Sequence, residues 1–254
     1  MGNKNFGNLV IIVPCYNEYS RLPLSEIQNF LKKEPNAKLF FIDDASTDNT
    51  IDRLLALENE FPDQILKLSN SYNLGKAESV RKGVLYCLEH NIGENYAYLD
   101  ADLATSLEEC YSYLHYLQEG KTFVFASRIL KIGSIVERKF SRFLSGRIIA
   151  SFISNILDIK VYDTQCGCKV FTKEIAALAF KKPFISKWLF DVEIFSRILN
   201  HYGKPKALKL MDEIPVKRWI DKGDSKVKLS YVFRLWVDLY RIWRNHQLNV
   251  KTHV

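Results

Sequence analysis

The chain has 254 residues, of which 47% are hydrophobic and 26% are charged, and its formal net charge is +7. This length and composition suit a globular protein with a large core and exclude a disordered or low-complexity chain. The charge is unevenly distributed, because residues 1–130 carry 12 Lys and Arg against 18 Asp and Glu, whereas residues 131–254 carry 24 against 11. A basic second half suits phosphate groups or an anionic membrane surface. Since no nucleic-acid motif is visible, we expect no nucleic-acid partner.

The cysteines and the apolar segments indicate the compartment. Five cysteines are an odd number, and no apolar segment near the N-terminus resembles a signal peptide, so we expect a reduced, cytoplasmic setting. Cys166 and Cys168 lack a second Cys/His pair at zinc-ligand spacing, and we interpret them as structural thiols. The longest apolar stretches fall short of the roughly 20 residues that span a bilayer, so any membrane contact must be peripheral.

Strands and helices are predicted to alternate along the first half of the chain. Apolar runs at residues 9–13, 38–42, 65–68, 96–99 and 122–126 predict buried strands. The intervening segments predict helices over residues 20–33, to about residue 60, to about residue 90, and over 107–119, with Ser46 or Asp48 as a cap for the second. This alternation predicts an α/β fold with a mostly parallel sheet flanked by helices.

Polar side chains follow four of the predicted strands. They are Asn17 and Glu18, Asp43 and Asp44, Asn73 and Lys76, and Asp100 and Asp102. Because ligands bind at the carboxyl ends of parallel strands, we expect these groups to meet in one cleft. The last two carboxylates are one residue apart in an extended segment and therefore face the same side. Such a pair supplies half of a Mg²⁺ or Mn²⁺ site that a nucleotide diphosphate would complete, the alternative being a solvated strand end.

These pieces, in this order, resemble the family 2 glycosyltransferases, enzymes with a nucleotide-sugar-binding fold of the type called GT-A. The matching segments are residues 13–18, 43–48, 73–76 and 100–102. Nucleotidyltransferases use a similar sheet, but they place a glycine-rich, arginine-containing loop after the first strand. Pro-Cys-Tyr-Asn-Glu stands there instead, which disfavours that class.

The resemblance implies roles for individual residues. Pro14, Tyr16 and Glu18 would line the nucleoside pocket, and an aspartate of the Asp43–Asp44 pair, with Asp44 preferred, would bond the base. Lys76 would approach the nucleotide, Asp100 with its neighbour Ala101 would approach the ribose or the sugar, and Asp102 would hold the metal.

Two amphipathic stretches are predicted in the second half. Residues 140–157 repeat apolar side chains every four residues beside Arg142 and Arg147, and residues 229–246 place Trp236 and Trp243 on a stripe opposite a polar face that includes Asp238. Packing on the domain and contact with a membrane surface are both open for the first stretch. Tryptophan and arginine together suit an interface for the second.

Asp191 is the candidate general base in this half. It lies in the segment 188–193 among aromatic and aliphatic residues, and a carboxylate that emerges from an apolar setting into a cleft suits proton transfer. The alternative is a carboxylate paired with a nearby cation such as Lys169 or Arg128.

Further segments narrow the resemblance to the dolichyl-phosphate glucosyltransferase branch of the family. They are residues 100–105, 163–172, 188–193 and 223–226, together with Arg128. The chain departs from the branch at Leu103, where a small residue is usual, and at Cys168, where an aromatic residue is usual.

The narrower resemblance implies an inverting, metal-dependent transfer of a sugar, with glucose from UDP-glucose favoured, to a polyprenyl phosphate. Residues 1–130 would form the nucleotide-sugar half and residues 131–254 the acceptor half of one continuous GT-A domain, peripheral on the cytoplasmic face of a membrane. Candidates for gripping the acceptor phosphate are Arg128, Arg138, Gln165, Lys169 and Lys226. The alternatives are transfer to a saccharide hydroxyl and a non-catalytic protein that binds nucleotide sugars.

Overall fold

The computed structural model describes residues 9–137, 140–221 and 231–251. Its strands are β1 (Leu9–Cys15), β2 (Ala37–Asp43), β3 (Ile65–Ser69), β4 (Asn95–Leu99), β5 (Phe123–Ser127), β6 (Ile135–Glu137), β7 (Cys168–Thr172), β8 (Met211–Pro215) and β9 (Arg218–Ile220). Its helices are α1 (Leu24–Lys33), α2 (Thr50–Glu60), α3 (Lys76–Glu89), α4 (Leu107–Ser112), α5 (Leu114–Gln118), α6 (Phe140–Leu157), α7 (Lys173–Phe180), α8 (Phe190–Tyr202), α9 (Lys204–Leu210) and α10 (Tyr231–Lys251).

A seven-stranded sheet in the order β3-β2-β1-β4-β7-β5-β8 forms the centre of the fold. The first four strands are parallel, β5 is parallel to β8, and β7 is antiparallel to both β4 and β5. The predicted α/β fold with a mostly parallel sheet is therefore confirmed. Strands β7 and β8, in the second half of the chain, were not predicted. Strands β6 and β9 form a separate parallel pair.

Both faces of the sheet are covered, which explains why its central strands are mainly apolar. On β1, Val10 and Ile12 belong to the core beneath α3, α7 and α8, whereas Ile11 and Val13 belong to the core beneath α1, α2 and α4. The period of two along an extended strand sends alternate side chains to the two cores. Because strands from both halves of the chain share this one sheet, the polar strand ends are held on a common scaffold.

Two helix predictions differ from the structure at their boundaries. Helix α1 begins at Leu24, directly after Pro23, and not at residue 20. The predicted helix over residues 107–119 is divided at Tyr113, whose N–H donates to the carbonyl of Cys110 (3.1 Å) in a tighter turn.

The two amphipathic stretches form α6 and α10, which contact each other. Each apolar stripe is divided between core and solvent: Ile153 and Leu239 are buried, whereas Phe152 and Trp236 are 47% and 41% exposed and their rings meet edge to face at 4.8 Å. Asp238 was predicted on a polar outer face, and this was wrong, because it is buried and accepts a hydrogen bond from Ser186 Oγ (2.8 Å). None of the helices in the described ranges combines the length and the hydropathy that crossing a membrane requires.

Candidate active site

The loops that follow β1 and β2 are tied to each other. Asn17 adopts a positive φ of 52°, a conformation that asparagine tolerates well. Its N–H donates to Ser46 Oγ (3.0 Å), and its Oδ1 accepts from the N–H of Thr47 (2.8 Å). The N–H of Glu18 donates to Thr50 Oγ1 (2.8 Å) at the start of α2. The first two polar strand ends are therefore joined to each other, and the region where they meet the ends of β3 and β4 is called the cleft below.

Asp44 organises the loop that precedes α3. It is 3% exposed, and its carboxylate accepts from Asn70 Nδ2 and from the N–H groups of Leu74 and Gly75, each at 2.8 Å. Both carboxylate oxygens thus accept hydrogen bonds within the protein, and the role of Asp44 in bonding a base stays a prediction. The bonds from Leu74 and Gly75 fix the backbone immediately before Lys76.

Lys76 begins α3 and forms an ion pair with Asp100 at the end of β4. Burial opposes its charge, but the Asp100 and Asp191 carboxylates outweigh burial and raise the pKa of Lys76. The two side chains are 25% and 41% exposed, so the pair borders the cleft. The strand-end groups predicted to converge here, Lys76 and Asp100, are in contact.

Asp102 lies two residues after Asp100, in the turn that follows β4. Its Oδ1 accepts from the N–H of Ala104 (3.1 Å), and its side chain is 24% exposed. Burial and the neighbouring Asp100 carboxylate raise the pKa of Asp102. Leu103 adopts a positive φ of 49°, a strained conformation for a bulky residue, while its side chain is buried in the core. The turn therefore holds two carboxylates together despite their repulsion.

These two carboxylates fit a divalent cation that takes its remaining ligands from elsewhere. Among the residues that the structure describes, no three His, Cys, Asp or Glu side chains are grouped so that they could hold a metal ion by themselves. Mg²⁺ and Mn²⁺ accept one or two carboxylates together with phosphate oxygens and water. The donor set is consistent with a cation that binds together with a nucleotide diphosphate.

Arg128 and Asp163 form a second charged pair. Arg128 directly follows β5, and Asp163 lies in the segment between α6 and β7. Arg128 donates to Asp163 through Nε (2.6 Å), Nη2 (2.8 Å) and its backbone N–H (3.1 Å). Although burial opposes ionisation, the guanidinium lowers the pKa of Asp163 to about 2. Glu213 accepts from the N–H of Asp163 (2.8 Å), and the N–H of Gln165 donates to Asp163 Oδ1 (3.1 Å). Arg128 and Gln165 therefore both donate to the same Asp163 carboxylate.

Lys169 and Asp191 form a buried ion pair. Lys169 has no exposed surface, and its Nζ donates to Asp191 Oδ1 and to the carbonyl of Cys166. Tyr98 donates its hydroxyl to the same Asp191 oxygen, and burial together with this carboxylate raises the pKa of Tyr98. The ammonium is not available to an acceptor phosphate in this arrangement, which corrects the role predicted for Lys169. The contact is the one that the alternative interpretation of Asp191 predicts, and a role of Asp191 as a base stays a prediction.

The other predicted site residues lie around the cleft with different exposures. Tyr16 is 37% exposed and Pro14 is partly buried, whereas Glu18, Asp43 and Ala101 are buried. Their contacts with a nucleotide sugar stay predictions. Arg138 and Lys226 lie outside the described residues.

Comparison with known proteins identifies the family. The sequence matches the profile of glycosyl transferase family 2 over residues 10–178. The chain belongs to this family. It is 31% identical to a dolichyl-phosphate beta-glucosyltransferase of Trichomonas vaginalis, over 94% of this chain and 74% of that protein. It is 30% identical to the dolichyl-phosphate beta-glucosyltransferase of Mus musculus, over 90% of this chain and 77% of that protein. The resemblance found in the sequence is thereby confirmed.

Solved structures share the fold of this family 2 glycosyltransferase. Mannosyl-3-phosphoglycerate synthase from Rubrobacter xylanophilus superposes with a TM-score of 0.68 at 16% identity, over 98% of this chain and 76% of that chain. A second structure is glucosyl-3-phosphoglycerate synthase from Mycobacterium tuberculosis in complex with Mn²⁺, UDP-glucose and phosphoglyceric acid. It superposes with a TM-score of 0.67 at 14% identity, over 94% of this chain and 79% of that chain. The GT-A fold predicted for this glycosyltransferase is confirmed.

Arg21 is a residue of the cleft that sequence reasoning missed. Its Nη2 lies 3.5 Å from Asp102 Oδ2 and its Nε lies 3.6 Å from Glu18 Oε2. The sequence does contain one indication of this contact, because Arg21 follows Glu18 by three residues, a spacing that brings the two side chains together in a turn. Arg21 thus places a positive charge beside the carboxylate that the family resemblance assigns to a metal.

We expect the Arg21→Gln protein to bind Mn²⁺ about threefold more tightly than wild type when no nucleotide is present. The reason is that a partly exposed ion pair is worth up to about 1 kcal/mol, which a cation at Asp102 must overcome. Free Mn²⁺ would be measured by electron paramagnetic resonance during titration. Arg53→Gln, at a guanidinium that stacks on Tyr19 at 4.2 Å, is the control. Equal affinities in Arg21→Gln and wild type would contradict the expectation.

Proposed function

We propose that this enzyme transfers glucose from UDP-glucose to a polyprenyl phosphate with inversion at the anomeric carbon. The observation that carries the proposal is the agreement between the relatives, which are named dolichyl-phosphate beta-glucosyltransferases over most of this chain, and the cleft in which Lys76, Asp100 and Asp102 meet. A beta-linked product from an alpha-linked donor requires a single displacement. The acceptor phosphate and the leaving diphosphate must therefore occupy opposite sides of the sugar.

On the donor side, the chain would bind the nucleotide diphosphate between the ends of β1 and β4. Asp102, with Asp100 beside it, would hold a Mg²⁺ or Mn²⁺ ion. That ion would neutralise the charge that develops on the leaving diphosphate. Lys76 and Arg21 are the cations nearest to these carboxylates among the described contacts, and both suit the same diphosphate. Tyr16, exposed at the mouth of the cleft, suits a nucleoside base.

On the acceptor side, Arg128 suits the lipid phosphate. A guanidinium has five N–H donors, and its Nε and one donor of Nη2 are used for Asp163. Asp163 and Trp219, whose ring lies 5.2 Å from the Arg128 guanidinium carbon, hold this group in place. A phosphate acceptor arrives as an anion and needs little help from a base. Asp191 would then act by holding Lys169 and by contributing negative potential near Lys76.

The experiment is transfer by the purified enzyme with UDP-glucose, UDP-galactose or GDP-mannose as donor and either a polyprenyl phosphate or a saccharide as acceptor. We expect UDP release that requires both the divalent cation and the polyprenyl phosphate, with glucose recovered in the lipid fraction. Recovery of the sugar only on the saccharide would overturn the assignment of the acceptor. A nucleotide sugar that binds without any release would overturn the assignment of the reaction.

We further propose that the exposed face shared by α6 and α10 lies on the membrane that carries the acceptor. This face consists of Leu144, Ile148 and Phe152 of α6 with Trp236, Tyr240 and Trp243 of α10, which are 41–59% exposed. Arg234, Arg241 and Arg244 are also exposed on α10. An exposed apolar face on a helix that also exposes arginine suits the boundary between anionic headgroups and acyl chains.

A double substitution of this face, Trp236→Ser with Trp243→Ser, is expected to weaken binding to vesicles by at least about tenfold, because the apolar area that would enter the lipid is lost. Sedimentation with vesicles of phosphatidylcholine and phosphatidylglycerol measures the change. Leu55→Ser is the matched control, because Leu55 is 40% exposed on α2, on the opposite face of the sheet. Equal loss in both proteins would contradict the assignment of this face.

A further inference from the structure

Gly167 lies directly against the carboxyl group of Asp100. A β-carbon built on Gly167 would overlap Asp100 Oδ2 and would lie 2.9 Å from Oδ1, and the three atoms nearest to it all belong to this carboxyl group. Gly167 has no positive φ, so its backbone conformation is open to any residue. A side chain is therefore excluded at Gly167 by Asp100 and not by backbone strain.

The segment that contains Gly167 cannot easily move away from Asp100. The carbonyl of Gly167 accepts from the N–H of Asp100 (3.2 Å), and Cys168 next to it pairs in register with Leu99 of β4. Cys166 and Cys168 have no exposed surface, and the carbonyl of Cys166 is bound by the buried Lys169. A clash at Gly167 would therefore be relieved by the Asp100 side chain, which is 41% exposed on its other side.

The orientation of this side chain matters because it sets two contacts of the cleft. Asp100 forms the ion pair with Lys76, and its charge acts on Asp102. If the carboxylate turned towards solvent to avoid a methyl group, the ion pair would be lost and the carboxylate would enter the cleft. We propose that Gly167 is a positioning residue whose missing side chain holds the Asp100 carboxylate against Lys76 in the geometry that receives the donor. This inference rests on the proposed function only in assigning the donor to that pair.

The test compares Gly167→Ala with Gly146→Ala, a matched change on α6 where a new β-carbon would meet no atom within 4 Å. In Gly167→Ala we expect kcat/KM for UDP-glucose to fall by about 10²-fold, as for a misplacement of about 1 Å, while the unfolding temperature stays close to wild type. Affinity for UDP with Mn²⁺, measured by calorimetry, should fall as well. In Gly146→Ala kcat/KM and the affinity for UDP should stay unchanged, whereas the unfolding temperature should stay the same or rise, because alanine favours a helix more than glycine does.

A double-mutant cycle separates positioning from a general structural effect. In the Asp100→Ala background the carboxyl group is gone, so adding Gly167→Ala should change neither UDP affinity nor turnover further. An equal loss in both backgrounds would overturn the proposal, as would wild-type UDP affinity in the Gly167→Ala protein.

Labelling of the Lys76 amine with an acylating reagent, read by mass spectrometry, tests the geometry without any substrate. Loss of the ion pair should increase labelling of Lys76 severalfold in Gly167→Ala and not in Gly146→Ala. Unchanged labelling would overturn the proposal. Failure of the proposed function would be seen differently, as wild-type protein that transfers no glucose to a polyprenyl phosphate while Lys76 labelling still responds to Gly167→Ala.

Discussion

Replacing Asp102 with asparagine is expected to reduce glucose transfer by at least about 10³-fold while leaving the fold intact. The loss is large because the carboxylate would hold the cation that stabilises the leaving diphosphate, and a neutral amide binds Mg²⁺ or Mn²⁺ much more weakly. Asparagine has nearly the same shape, and its side-chain oxygen can still accept the bond from the N–H of Ala104. Release of UDP, titrated with Mn²⁺ at saturating UDP-glucose, measures the effect.

Stability distinguishes this loss from unfolding. Burial and the neighbouring Asp100 carboxylate raise the pKa of Asp102, so the folded protein disfavours its negative charge. Removing the charge should leave the free energy of unfolding equal to that of wild type or about 1 kcal/mol higher. Asp63→Asn is the control, because Asp63 is exposed in the turn before β3, and this variant should keep both activity and stability. Turnover at the wild-type rate in Asp102→Asn would refute the assignment of the metal ligand.

The sheet and its polar strand ends could be predicted because they follow from local pattern. The runs that became β1 to β5 are mainly apolar, although Lys67 interrupts β3, and such runs are typical of strands covered on both faces. Parallel order brings their carboxyl ends together. The contact of Lys76 with Asp100 follows from that order. Strand β7 could not be predicted in the same way, because it is inserted antiparallel between β4 and β5 and so departs from the alternation of strand and helix. The partner of its Lys169 is Asp191 on α8, whose packing the local sequence does not specify.

The parts of the cleft that escaped prediction depend on contacts between distant segments. The hydrogen bonds of Asp44 to residues 70–75 could not be predicted, because only the folded chain brings these segments close. Asp238 looked like a solvent-facing residue of an amphipathic helix, but Ser186 reaches it from the loop before α8. Ser186 Oγ also accepts from the N–H of Leu189 (3.1 Å), so α10 is bonded to the segment that carries Asp191.

The buried pair of Lys169 and Asp191 gives the largest expected effect on stability. Lys169→Met should lower the free energy of unfolding by about 3–5 kcal/mol, because it leaves the Asp191 carboxylate buried without its cation. Of the hydrogen bonds described for Asp191 Oδ1, only the bond from the Tyr98 hydroxyl would remain. Unfolding in urea, followed by circular dichroism, measures the change. Lys204→Met is the matched control, because Lys204 pairs with Asp158 at 2.7 Å on the surface, where such a pair contributes about 0.5 kcal/mol or less.

The double variant Lys169→Met with Asp191→Leu decides whether charge or packing is responsible. Removing both charges eliminates the unpaired carboxylate, so the double variant should be more stable than Lys169→Met alone. If packing of the lysine stem were responsible, the second change would add a further loss, and this result would contradict the electrostatic explanation. The Asp191 carboxylate also acts on Lys76, whose pKa it raises together with Asp100. The pair therefore links the interior of the sheet to the cation that faces the donor.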